Sequence, residues 1–141
     1  MAGLYDTTTI SKERSSRTYK DLNLSFISNP ATKDIAKLKD VEAVKRSVRN
    51  LVELNHFEKP FHPEIGSDIR NLLFENMTPI THMAISRAVE DLINAYEPRA
   101  KLLSVSTNAQ YDNNSYEVTI NFQVIGTPEP ITVQTMLERV R

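Results

Sequence analysis

Hydrolysis of a glycosidic bond needs two carboxylates facing a sugar from opposite sides, one of them with a raised pKa. Glu64, Asp68 and Glu75 crowd one stretch of this 141-residue chain, and Glu64 with Glu75 is the pair that could serve. Asp68 has a better role in the first turn of a helix, where the helix dipole favours negative charge. Glu64 lies in a proline-rich loop and Glu75 follows Phe74; isolated carboxylates are ordinarily surface residues. The histidines His56, His62 and His82 are dispersed, and no His-Glu-x-x-His occurs. No serine stands in a Gly-x-Ser-x-Gly elbow. The chain has no cysteine, which excludes thiolate catalysis, disulfides and cysteine-ligated metals. Its three glycines, Gly3, Gly66 and Gly126, are too far apart to cradle a phosphate. The expectation is a protein without catalytic, cofactor-binding or metal-binding residues.

Lys37, Lys39, Lys45, Arg46 and Arg49 are the cations that could meet nucleic acid. A pI near 6.3 and the lack of aromatic residues among them argue against it. Charge is unevenly spread: residues 1–59 hold 11 Lys and Arg against 8 Asp and Glu, residues 60–141 hold 6 against 10. The amino terminus has no cationic segment followed by an apolar run, and no apolar stretch approaches membrane-spanning length. Folding in a cytoplasm, with neither a membrane nor a nucleic acid as partner, is the expectation.

The elements that must position any site follow from periodicity and punctuation. Residues 1–20 are polar and Ser/Thr-rich and read as an extended arm; residues 21–141 read as a single domain. Asp21 to Phe26 alternates polar and apolar, which predicts a short half-buried strand. Asp40 is the expected N-cap of a helix from Val41 to about Leu54, with Val41, Val44, Val48, Leu51 and Val52 on one face. A loop with Pro60, Pro63 and Gly66 follows, then a short helix capped by Ser67 or Asp68. Thr78-Pro79 restarts the chain as a long helix, with Thr as N-cap and Pro at the first helical position. Ile85, Ala88, Val89, Leu92 and Tyr96 form its core stripe, and Pro98 ends it.

Beyond Arg99 the period changes to two. Leu103, Val105 and Thr107 alternate with serines, and Tyr116 to Val124 alternates without interruption, which predicts a hairpin with one buried face. Ile131 to Arg139 reads as a third strand after the Pro128 and Pro130 break. The predicted class is α+β: a small antiparallel sheet with helices packed on one face. The Tyr116–Val124 strand is the expected centre, leaving Leu102–Ala109 and Ile131–Arg139 as edges.

Arg49-Asn50-Leu51-Val52, Lys59 to Ser67, Leu72 to Asn76 and Tyr96-Glu97-Pro98-Arg99 together resemble the gene-25-product family, the baseplate wedge proteins or sheath initiators of contractile phages. Related subunits sit in type VI secretion baseplates. The resemblance covers roughly residues 35–141, and Glu97-Pro98-Arg99 matches the family's signature triplet. It implies a structural subunit of a virion tail baseplate, assembled in the host cytoplasm, with a sheath-like fold. It implies docking of Glu97, Pro98 and Arg99 on the helical wedge core, and a sheet that accepts tail-sheath strands at Leu103, Val105, Ile131, Val133 and Thr135. Wedge core proteins, tail sheath protein and tail tube or hub proteins are the partners it implies, and no cofactor. Pro98 fixes the backbone between an acid and a base, so Glu97 and Arg99 are expected to face a partner. A lysozyme-like label used in the family has no support here, since no Glu is followed nine positions later by Asp.

Overall fold

Alternation is the strongest pattern in the chain, and it forms the centre of the sheet. The computed structural model describes residues 19–139. In chain order the elements are β1 (Lys20–Leu22), β2 (Lys37–Lys39), α1 (Asp40–Glu53), α2 (Ile69–Leu72), α3 (Pro79–Tyr96), β3 (Ala100–Gln110), β4 (Ser115–Val124) and β5 (Pro130–Glu138). β3, β4 and β5 form an antiparallel sheet in that order, and β1 pairs with β2 as a separate ribbon. The architecture is the expected α+β, with β4 in the middle. The expected arm lies outside the described residues as far as Thr18; Lys20, its last residue, opens β1.

Tyr116, Val118, Ile120 and Phe122 of β4 are wholly buried. Ile131, Val133, Thr135 and Leu137 of β5 continue that face. Against it lie Val44, Val48 and Val52 of α1 and Ile85, Val89, Leu92 and Ile93 of α3. Each such aliphatic or aromatic side chain contributes about 1.5–3 kcal/mol by leaving water, so the core stands mainly on α1, α3, β4 and β5. The opposite face of the sheet is polar and cross-linked. Asn121 Nδ2 donates to Ser104 Oγ at 3.0 Å, and Thr132 Oγ1 donates to Asn121 Oδ1 at 2.6 Å.

Thr78 caps α3 as expected: its Oγ1 accepts from the Thr81 N–H at 3.3 Å, with Pro79 in the first turn. The cap of α1 differs. Lys39 holds the cap position without a side-chain cap bond, and Asp40, at φ 46°, is the first residue of the helix. The Asp40 carboxylate accepts from the Tyr19 N–H at 3.1 Å, while its own N–H donates to the Tyr19 carbonyl at 2.8 Å. A distant backbone segment has taken the carboxylate that local reasoning gave to the helix. At α2 the Ser67 hydroxyl accepts from the Ile69 N–H at 3.4 Å, and Asp68 makes no side-chain cap.

The expected strand from Asp21 to Phe26 is shorter than the pattern predicts. Only Lys20–Leu22 is strand, and Leu22, Leu24 and Phe26 are exposed while Asp21 is half-buried. Where the segment alternates, at Asp21 and Asn23, it is the polar residues that are half-buried; Ser25 is exposed. The loop between α1 and α2 is closed at its base by a bridge between Asn55 and Ser67. Gly66 sits there at φ 143°, where a Cβ would meet the Asn55 carbonyl at 2.5 Å. No helix among the described residues is long and apolar enough to cross a membrane.

Candidate functional site

A carboxylate at a helix C-terminus opposes the helix dipole, so Glu97 needs a cation, and the chain supplies one two residues on. Pro98 ends α3 at Tyr96, and the Glu97 N–H closes the last turn on the Ile93 carbonyl at 2.9 Å. The Glu97 side chain then turns inward. Arg99 Nε donates to Glu97 Oε1 at 2.6 Å and Arg99 Nη2 to Oε2 at 2.8 Å. The Ser47 hydroxyl of α1 donates to the same carboxylate. Arg99 Nη1 reaches Asp21 Oδ2 of β1 at 3.1 Å, and the guanidinium lies 5.6 Å from the Tyr19 ring centroid. Residues from α1, β1 and the segment that follows α3 are thus tied at one point.

This geometry corrects the expectation that both side chains face a partner. Glu97 is 2% exposed, Arg99 is half-buried, and only Pro98 of the triplet is exposed. Burial pushes the Glu97 carboxyl up, but hydrogen bonds from Arg99 and Ser47 outweigh it and hold the group below its ordinary value. The Glu97 hydrogen bonds raise the Arg99 pKa in turn. Asp21 and Ser47 escaped sequence reasoning. The one signal for them was an unfavourable acid at a helix end, which calls for partners without saying where in the chain they lie.

The sheet edges are the second feature. In an antiparallel ladder alternate residues turn both backbone groups toward one neighbour or away from it. The Ile125 N–H donates to the Arg99 carbonyl at 3.0 Å, and the Arg139 N–H to the Asn114 carbonyl at 3.1 Å. Carried through the register, those bonds turn Ile131, Val133, Thr135 and Leu137 toward β4. Thr132, Gln134 and Met136 point their N–H and C=O groups outward. The Arg49 guanidinium agrees, since its Nη2 donates to the Gln134 carbonyl at 3.3 Å. On the other edge Val105, Thr107 and Ala109 point outward.

The five residues expected to pair with incoming strands therefore divide. Val105 offers outward backbone groups. Ile131, Val133 and Thr135 use theirs on β4. Leu103 belongs to a bulge: the register slips between Leu102 and Ser104, and Leu103 is left exposed at 53%. The extra residue turns it away from the face it was expected to share with Val105.

The hydrolytic pair does not form a site. Glu64 and Glu75 are both exposed. Glu64 is held below its ordinary pKa by its own backbone N–H and by His62, whose Nδ1 lies 3.0 Å away. That is the opposite of what a general acid requires. No cluster of metal-ligating side chains occurs among the described residues.

The family model described as baseplate wedge protein gp25 matches residues 39–129. The baseplate wedge protein gp25 of Enterobacteria phage T4 is 35% identical over 99 residues, covering 70% of this chain and 75% of that protein. A crystal structure from Geobacter sulfurreducens that carries the name of a tail lysozyme superposes with a TM-score of 0.66 at 21% identity, covering 71% of this chain and 91% of the other. At that identity the likeness is one of fold. A subunit of the anti-feeding prophage baseplate superposes with a TM-score of 0.62 at 20% identity, over 88% of each chain.

Proposed function

The chain belongs to the baseplate wedge protein gp25 family and is a structural subunit of a contractile-tail baseplate; on that premise we propose that it docks on the helical core of the wedge and starts the tail sheath by accepting strands on its sheet. The observation that carries the reading is the three-stranded sheet, whose outer strands keep a row of backbone groups pointing away from β4. Such an edge is completed by an extended segment from another chain. Docking falls to the surface around Pro98, whose position is fixed by the buried Glu97 and Arg99 beneath it. The wedge core proteins and the sheath protein are the partners of these two surfaces, with tail tube or hub proteins as further neighbours. The place of action is the virion tail baseplate, built in the host cytoplasm.

Co-purification of the chain with wedge proteins tests docking, and electron microscopy of tails tests strand addition. The expected result for Gln134→Pro, which removes an outward donor, is a baseplate that contains the variant and carries no sheath. Normal sheathed tails would contradict strand addition on this edge. A hydrolytic role has no comparable support, and the purified chain is expected to leave cell-wall polymer intact.

A further inference from the structure

The two sheet edges are chemically unlike, and the difference selects what can pair with them. β3 is interrupted by its bulge at Leu103. β5 runs nine residues without a slip in its register against β4. Two hollows lie along β5, one beside each half of the strand. Beside Thr132, Val133 and Gln134 the far wall carries Lys45, Arg46 and Arg49 of α1, against the single acid Glu42. Glu42 is engaged by Lys45 at 2.9 Å. Among the described residues neither Arg46 nor Arg49 has a carboxylate partner, and Arg46 Nε is buried without an acceptor. Beside Met136 and Leu137 the wall is mixed: Val52, Ile69, Leu73 and Phe74 supply its apolar part, and Glu53, Arg70 and Glu138 stand at its rim.

We propose that β5 is the edge that takes the incoming strand, and that this strand comes from another protein and is acidic beside Thr132–Gln134 and apolar beside Met136–Leu137. The proposal rests on the strand-addition reading and assigns its edge and its chemistry. A carboxylate entering the first hollow finds three cations with a net positive wall, and an arginine fork matches it bidentately. An apolar side chain entering the second hollow covers Phe74 and Met136, which are 58% and 53% exposed. Arg49 holds the Gln134 carbonyl until then, occupying the place where the first new backbone donor must arrive. The arriving carboxylate draws the guanidinium off that carbonyl, so the edge opens to an acidic strand and stays guarded against others. The chain's own residues 1–18 are a poor occupant: they carry Lys12, Arg14 and Arg17 against Asp6 and Glu13.

The test is amide exchange followed by NMR on the full chain. The probe is a synthetic peptide of nine residues, the length of β5, alternating valine and threonine, with glutamates in one half and a leucine in the other. It is supplied in forward and reversed order, beside a version with lysine in place of glutamate. The glutamate peptide is expected to slow exchange at Thr132, Gln134 and Met136 by roughly tenfold or more relative to the lysine peptide, the factor that corresponds to about 1.4 kcal/mol. The variant Lys45→Glu with Arg49→Glu, both on the outer side of α1, is expected to reverse the preference. Equal protection by both peptides overturns the charge assignment. Protection at Val105, Thr107 and Ala109 instead overturns the choice of edge and leaves strand addition standing. Protection at neither edge takes down both this proposal and the strand-addition reading beneath it.

Discussion

Glu97 is an acid at the end of a helix, buried and paired, and its protonation state is tied to the fold. Its pKa lies below the ordinary 4.5 because hydrogen bonds from Arg99 and Ser47 outweigh the burial that pushes it up. A carboxyl depressed in the folded state stabilises fully above its unfolded value, and that contribution disappears as pH falls through the folded value. The melting temperature is therefore expected to fall on acidification below about pH 4.5, the ordinary value itself, and to fall less steeply in Glu97→Gln. Parallel curves would mean that this carboxylate contributes nothing to acid sensitivity. Arg99→Ala strands the Glu97 charge and is expected to cost about 3–5 kcal/mol in urea unfolding. Glu97→Gln combined with Arg99→Ala should recover part of that loss, since no buried charge is left unpaired and Asp21, the other partner of Arg99, reaches solvent. A double variant no more stable than Arg99→Ala would show that the stranded charge is not the cause. Sequence made Glu97-Pro98-Arg99 conspicuous as a triplet but pointed its side chains the wrong way. Only the fold brings Ser47 and Asp21 within reach, and a charge at a helix end gives no direction.

Single elements differ in how far they can be read without their neighbours. α3 is read at both ends, because Thr78 bonds three residues on and Pro98 acts on the residue before it. Thr78→Ala is expected to cost about 1 kcal/mol of stability, measured by thermal or urea unfolding; unchanged stability would remove the cap from the account of α3. β4 is read correctly throughout, since a strand with one buried face must alternate and does so from Tyr116 to Val124. β3 is not, because a bulge leaves no mark on composition, and Leu103 reads as one more alternating apolar residue. β1 fails for a different reason: the Arg99–Asp21 contact and the Tyr19–Asp40 bonds decide which side of it faces inward. The ladder parity gives a contrast within one strand. Val133→Pro removes a donor to β4 and is expected to unfold the sheet, whereas Gln134→Pro removes only an outward donor and should keep its circular dichroism and its melting transition. Equal damage from both would mean that the edge faces are assigned wrongly.

For the molecule as a whole, the unlike edges bear on what it does with copies of itself. Two β5 edges brought together in parallel would set Lys45, Arg46 and Arg49 against the same three cations. A β3 edge laid on β5 would bring no carboxylate, because Ala100 to Gln110 contains none and adds Lys101. Two β3 edges would meet at their bulges. Sedimentation of the purified chain is accordingly expected to show a monomer even at high concentration and low salt, where like charges repel most; edge-paired dimers or fibres would contradict this. A bulge on one side and a row of cations on the other thus amount to a terminus. If strand addition starts the sheath as proposed, a filament begun on such a subunit grows one way only, its first member cannot be mistaken for any later one, and the place where it starts is decided before a second kind of protein arrives.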